Sequence, residues 1–310
     1  ELPTPTRNGY EFVGWTGEGI TTPQTSVIIP KGSTGNRTYT ANWEIITYNI
    51  FLYKGDGSEA ETIHYTVETP DFALQPPTRT GYEFLGWQRL DGYAPGEKQM
   101  NVTIPKGTTG DRTYTGCWQA IEYTITLDTS GGNALDAISY AVTSSPITLP
   151  TPVRTGYTFL GWTGEGITEP QKTIEIPQGS TGDRTYTANW QVIEYTIITL
   201  LGGGTAGSSQ VYFYTVEQTV TLPTPTRTGY TFIGWTGEGI TTPQPNVTIP
   251  KGSTGDKRYI ENWELTEYNI TMDLNGGSGQ EKVVYTMTDE DFELPTPTRN
   301  GYEFVGWTGE

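Results

Sequence analysis

The chain offers few groups for chemistry. His64 is its only histidine and Cys117 its only cysteine, 53 residues apart. A nucleophile and its base must lie within hydrogen-bond reach, and a third group must orient the base. Nothing around either residue supplies such a set. Asp56, Asp128 and Asp273 precede Gly-rich turns. Calcium needs six or more oxygens and an Asp-x-Asp-x-Asp-like run, which is missing, so these read as turn residues. An intramolecular Lys–Asn isopeptide bond could draw on Lys31, Lys106 or Lys251 with Asn42, Asn189 or Asn262. However, Gln178 and Cys117 break the two series. Arg7, Arg79, Arg154, Arg227 and Arg299 recur before a glycine and could present guanidinium to an acidic ligand. We read each instead as clamping a carbonyl or stacking on a neighbouring aromatic. Asn36, Asn101, Asn246 and Asn269 match the short glycosylation pattern by chance in a Thr-rich chain. No catalytic, cofactor-binding or metal residue is assigned, and an enzyme is not expected.

The residues that do recur are structural. Trp15, Trp87, Trp162, Trp235 and Trp307 each end a Gly-Tyr-x-Phe-x-Gly-Trp segment, and Trp43, Trp118, Trp190 and Trp263 close a second. Gly9, Gly81, Gly156, Gly229 and Gly301 mark one point of successive units, at spacings of 72, 75, 73 and 72 residues. A unit of that size buries only about 60% of its unfolded surface. Each buried Trp removes roughly 150–250 Å² from water, on the order of 4–6 kcal/mol. Two Trp per unit can therefore hold a small core with few aliphatics. Trp162 and Trp190 are expected to pack in one unit, with Tyr157 and Phe159 on opposite faces of their strand.

Formal net charge is −17. Phosphate binding needs a basic face, so nucleic acid is not a partner. One cysteine cannot staple the units with disulfides. Cysteine avoidance with Thr-, Gly- and Tyr-rich strands fits an exported bacterial protein. No apolar run approaches the roughly 20 residues of a membrane span.

In residues 120–191 the alternation predicts strands at Tyr123–Asp128, Ile138–Val142, Tyr157–Trp162, Thr173–Ile176 and Thr185–Trp190. The proline-rich stretch from Pro146 to Arg154 reads as an extended crossing without ladder bonds. Thr163–Thr173, with Gly164, Gly166 and Pro170, reads as a loop. Four residues without Gly or Pro join each closing Trp to the next opening Tyr, as in Gln191–Glu194. This junction reads as one strand leaving a unit and entering the next. Extra residues fall in Gln88–Met100 and around Gly202-Gly203-Gly204, where loops belong.

The unit resembles the Listeria–Bacteroides, or internalin B-repeat-like, domain. The resemblance rests on Tyr-x-Ile-x-x-Asp-x-x-Gly-Gly (Tyr123 to Gly132), Pro-Thr-Pro-x-Arg-x-Gly-Tyr-x-Phe-x-Gly-Trp (Pro150 to Trp162) and Tyr-Thr-Ala-Asn-Trp (Tyr186 to Trp190). It implies a β-grasp-like, mostly antiparallel fold and a tandem spacer in secreted or wall-attached bacterial surface proteins. The helix of a full β-grasp is poorly supported here.

The expected architecture is all-β with little or no helix, an elongated tandem array. Residues 45–119, 120–191 and 192–264 are whole repeats. Residues 1–44 hold the C-terminal half of one repeat, and 265–310 the N-terminal half of another. Residues 1–18 and 293–310 are identical, which lays a four-unit repeat of 292 residues over the simple one. The expected function is an extracellular stalk or fibre of a bacterial surface protein. Its partners would be copies of itself head-to-tail or a continuing chain, with no membrane insertion in this stretch. The alternative is a multivalent adhesin array for glycan or host protein.

Overall fold

The structure, a computed structural model, describes residues 1–92, 96–201 and 209–309. Among them there is no helix. Residues 120–192 show the plan. Strands β1 (Tyr123–Asp128), β2 (Ile138–Tyr140), β3 (Ile147–Thr148), β4 (Tyr157–Gly164), β5 (Ile167–Gln171), β6 (Glu175–Ile176) and β7 (Arg184–Val192) follow in order. Five of them form one sheet in the order β2-β1-β7-β4-β5, and β3 pairs with β6 beside it. Only β1 and β7 are parallel; every other pair is antiparallel. The parallel pair is the first and last strand of the unit, so the chain leaves in the direction it arrived.

Residues 195–265 repeat this plan, with the order Gln210–Tyr214, Tyr195–Leu200, Lys257–Leu265, Tyr230–Gly237, Ile240–Gln244. Residues 48–120 form four strands of the main sheet and the side pair, Phe72–Ala73 with Thr103–Ile104. Where the three extra residues lie, the fifth reduces to a single bridge between Trp87 and Gln99. Residues 1–45 hold the last three strands, Tyr10–Gly17, Ile20–Gln24 and Tyr39–Ile45. Residues 268–285 hold the first hairpin.

Four expectations are corrected. Thr163–Thr173 is not a loop. Gly164 at φ 141°, Glu165 at 41° and Gly166 at 80° make a tight left-handed reversal, and Ile167–Gln171 returns as β5. The crossing Pro146–Arg154 does carry a short ladder, because Ile147 and Thr148 lie before its first proline of the Pro150-Thr-Pro run and pair with Ile176 and Glu175. The junction is not a continuous strand. β7 ends at Val192 and the next strand opens at Tyr195, because the two belong to different sheets. Tyr157 and Phe159 are two residues apart and therefore share a face, both half-buried, while Thr158 and Leu160 are exposed.

Each complete unit has one core. In residues 120–191 it consists of Ile125, Leu127, Tyr140, Leu149, Trp162, Ile174, Ile176, Tyr186 and Ala188. Trp162 is fully buried. Trp190 is half-buried and packs against the core edge. Phe159 joins the two indoles edge-to-face, at 5.6 Å from Trp162 and 5.4 Å from Trp190. The same Phe-centred trio recurs at Phe84 and Phe232.

Candidate functional site: the joint between units

The segment around each repeated glycine positions a joint. Gly156 precedes β4 at φ 78°, a left-handed value that favours glycine. Its carbonyl accepts the Ile193 amide at 2.9 Å. The linker is thereby tied to the unit it leaves. The same bond forms from Ile46 to Gly9, Ile121 to Gly81 and Thr266 to Gly229, at 2.9–3.0 Å.

The Cα of the same glycine faces the following unit. A Cβ on Gly156 would fall 2.1 Å from Val216 Cγ1, beyond any tolerable approach. At Gly9 and Gly81 the corresponding atoms are Cγ1 of Val67 and Val142, at 2.0 Å, and at Gly229 the Met287 sulfur, at 1.9 Å. Val67, Val142 and Val216 are apolar residues just past the second strand of their units. The carbonyl of each accepts an amide from a glycine of its own unit: Gly107, Gly179 and Gly252. Each joint is thus a bare glycine socket filled by an aliphatic knob from the next unit.

Beside the socket, an arginine lies over the tyrosine that follows the glycine. The distances to the ring centroid run from 3.6 Å for Arg7–Tyr10 to 4.0 Å for Arg299–Tyr302. Arg79, Arg154 and Arg299 also donate to the turn carbonyls of Gly55, Ser130 and Asn275. Both roles expected for these arginines are present.

The remaining candidate groups take local roles. His64 Nδ1 meets Asn49 Oδ1 at 2.7 Å across an exposed hairpin pair. Asp56, Asp128 and Asp273 each accept the backbone amide two residues on, closing the turn as expected. Asn42, Asn189 and Asn262 direct Nδ2 to a glycine carbonyl and a threonine hydroxyl, as in Asn189 to Gly161 O at 3.3 Å and Thr163 Oγ1 at 2.9 Å. They pin the bulge between Phe159 and Gly161 and its counterparts. Cys117 takes that place in residues 45–119, with Gln88 Oε1 3.8 Å from its sulfur. Gly202-Gly203-Gly204 lies outside the described residues.

Sequence reasoning missed two parts. The knob residues carry a faint signal, an aliphatic two positions after the closing Tyr of the second strand. Asp111, Asp183 and Asp256, each after a turn glycine, accept the opening amide of the first strand from Asn49, Thr124 and Thr196 at 2.7–2.8 Å. The amide bond of Thr196 holds the Asp256 carboxyl below the usual carboxylate range. Glu261 is buried where Ala188 stands in the preceding unit. Burial pushes its carboxyl up, and it accepts the Trp263 indole N–H at 3.2 Å.

Comparison with known proteins agrees with this repeated plan. The Listeria-Bacteroides repeat domain matches residues 45–113, 123–189, 195–257 and 268–310. The chain belongs to this repeat family. The divergent InlB B-repeat domain matches residues 4–47. The chain is 28% identical over 97% of its length to a protein of Evansella cellulosilytica described as a Gly-rich membrane protein, of which it covers 36%. It is 31% identical over 83 residues, 27% of the chain and 15% of the relative, to Internalin H of Listeria monocytogenes. The chain thus spans about a third of the first of these relatives. Repeats of this family occur in bacterial surface proteins and are not enzyme families. Among the described residues, no helix is long and apolar enough to cross a membrane.

Proposed function

We propose that the chain is a stalk or filament segment of an extracellular bacterial surface protein, giving reach and stiffness. The carrying observation is the joint, which recurs four times with one geometry: linker amide on the glycine carbonyl, knob of the next unit on the glycine Cα. A loose bead-string needs neither contact. The units continue head-to-tail, either along a longer chain or with further copies of it. Residues 45–119, 120–191 and 192–264 are the repeating bodies.

A multivalent adhesin array would present the repeated aromatics and arginines to solvent. Trp87, Trp162 and Trp235 are instead almost fully buried, and the arginines are engaged on tyrosines, which supports the structural role. Electron micrographs of arrays with increasing numbers of units test the proposal. Rods whose length rises linearly with unit number support it; coiled beads of variable end-to-end distance overturn it.

A further inference from the structure

The four joints differ in one respect. Tyr10 donates its hydroxyl to Glu68 and Tyr157 to Glu217 Oε1, the latter at 2.5 Å. Each glutamate directly follows the knob valine, so the bond crosses from one unit to the next. In the other two joints Thr143 follows Val142 and Thr288 follows Met287. Among the described residues, no hydrogen bond crosses from Tyr82 or Tyr230 to these threonines. Thr231 meets Thr266 at 2.9 Å, but that ties the linker and not the following body.

We propose that the joints alternate in stiffness: those at Gly9 and Gly156 are clamped against rotation, while those at Gly81 and Gly229, held by the same linker bond and knob, turn more freely. The knob contact is apolar and non-directional, so it holds two units together without fixing their rotation about the contact. A hydroxyl-to-carboxylate bond is directional and charge-assisted, and it is placed beside that contact. The arginine stacked on the same tyrosine holds its ring in place, so the hydroxyl is already aimed. Joint four departs further, because the unbranched Met287 is more adaptable than valine. The raised phenol of Tyr157, whose largest cause is its bond to Glu217, agrees with the contact. The inference concerns the chain's own mechanics and holds whether the array serves as a stalk or as an adhesin.

Pairs of spin labels at exposed positions of the full chain, in a Cys117→Ser background, test it. Labels at Thr168 and Thr241 span the Gly156 joint; labels at Lys98 and Thr168 span the Gly81 joint. We expect a narrower distance distribution across Gly156. Glu217→Thr should broaden it at least twofold, and Thr143→Glu should narrow the distribution across Gly81. The labelled positions, Thr143 and Glu217 face solvent, and unchanged thermal unfolding serves as the control for folding, the half-buried Cys117→Ser included. Equal widths at both joints, or widths that do not respond to the two exchanges, overturn the alternation.

Discussion

Gly156 and Val216 meet face to face across a unit boundary, with no room for even one methyl group between them. The contact lies at a φ of 78°, so glycine serves two purposes at once: it adopts the left-handed turn and leaves the socket bare.

Gly156→Ala should strain the backbone by about 1–3 kcal/mol and expel the knob. The Ile193 amide, which bonds to the Gly156 carbonyl, then exchanges faster with solvent while core amides of β1 and β7 keep most of their protection. Val216→Ala, which shortens the knob without straining the turn, should accelerate Ile193 less. Uniform loss of protection in both variants would show that the contact belongs to the core and not to a joint.

The two tryptophans of a unit should differ in weight. Trp162→Ala empties a fully buried site and should cost roughly 3–5 kcal/mol, enough to unfold residues 120–191. Trp190 is half-buried and loses an edge contact with Phe159 and its indole bond to the Thr129 carbonyl at 2.9 Å. Trp190→Ala should cost about 1.5–3 kcal/mol. Denaturant titration of the full chain ranks them, and a larger loss at Trp190 would refute the ranking.

The bulge clamp can be moved. In residues 45–119 Gln88 and Cys117 occupy the places of Thr163 and Asn189. Cys117→Asn alone meets a glutamine and should change stability little. Combined with Gln88→Thr it rebuilds the clamp, and the pair should gain about 1 kcal/mol beyond the sum of the single changes. A double-mutant cycle by thermal unfolding measures that coupling.

Acid should weaken the opening of the first strand in residues 192–264. Asp256 accepts the Thr196 amide, and its carboxyl is held below its ordinary value of 3.8. A carboxylate lowered in the folded state contributes stability above its unfolded value, and that contribution fades as pH falls through the folded one. Asp256→Asn keeps an acceptor but removes the charge. The protection of the Thr196 amide, its exchange relative to the intrinsic rate at each pH, should therefore weaken in the chain as pH falls below about 4, the unfolded value, and should lose that acid weakening in the variant. Retained dependence would assign the effect to another group.

How much could be read in advance follows from which interactions are local. Strand alternation, turn glycines and the spacing of Trp, Tyr and Phe set the all-β class, the period and the place of Trp162 in the core, because burial and turn chemistry act over a few residues. The Gly-rich turn that Asp128 closes and the arginine stacks were legible for the same reason. Tertiary structure decided what depends on pairing at a distance. Ile167–Gln171 carries poor strand residues, yet it becomes a strand because the left-handed turn at Gly164–Gly166 lays it against β4. Ile147 and Thr148 pair because β6 passes beside them. The knob on Gly156 comes from Val216 in another unit, and nothing in the local pattern around either residue marks the other. A glycine's empty side can be read from sequence, but what fills it is fixed only when the next unit arrives.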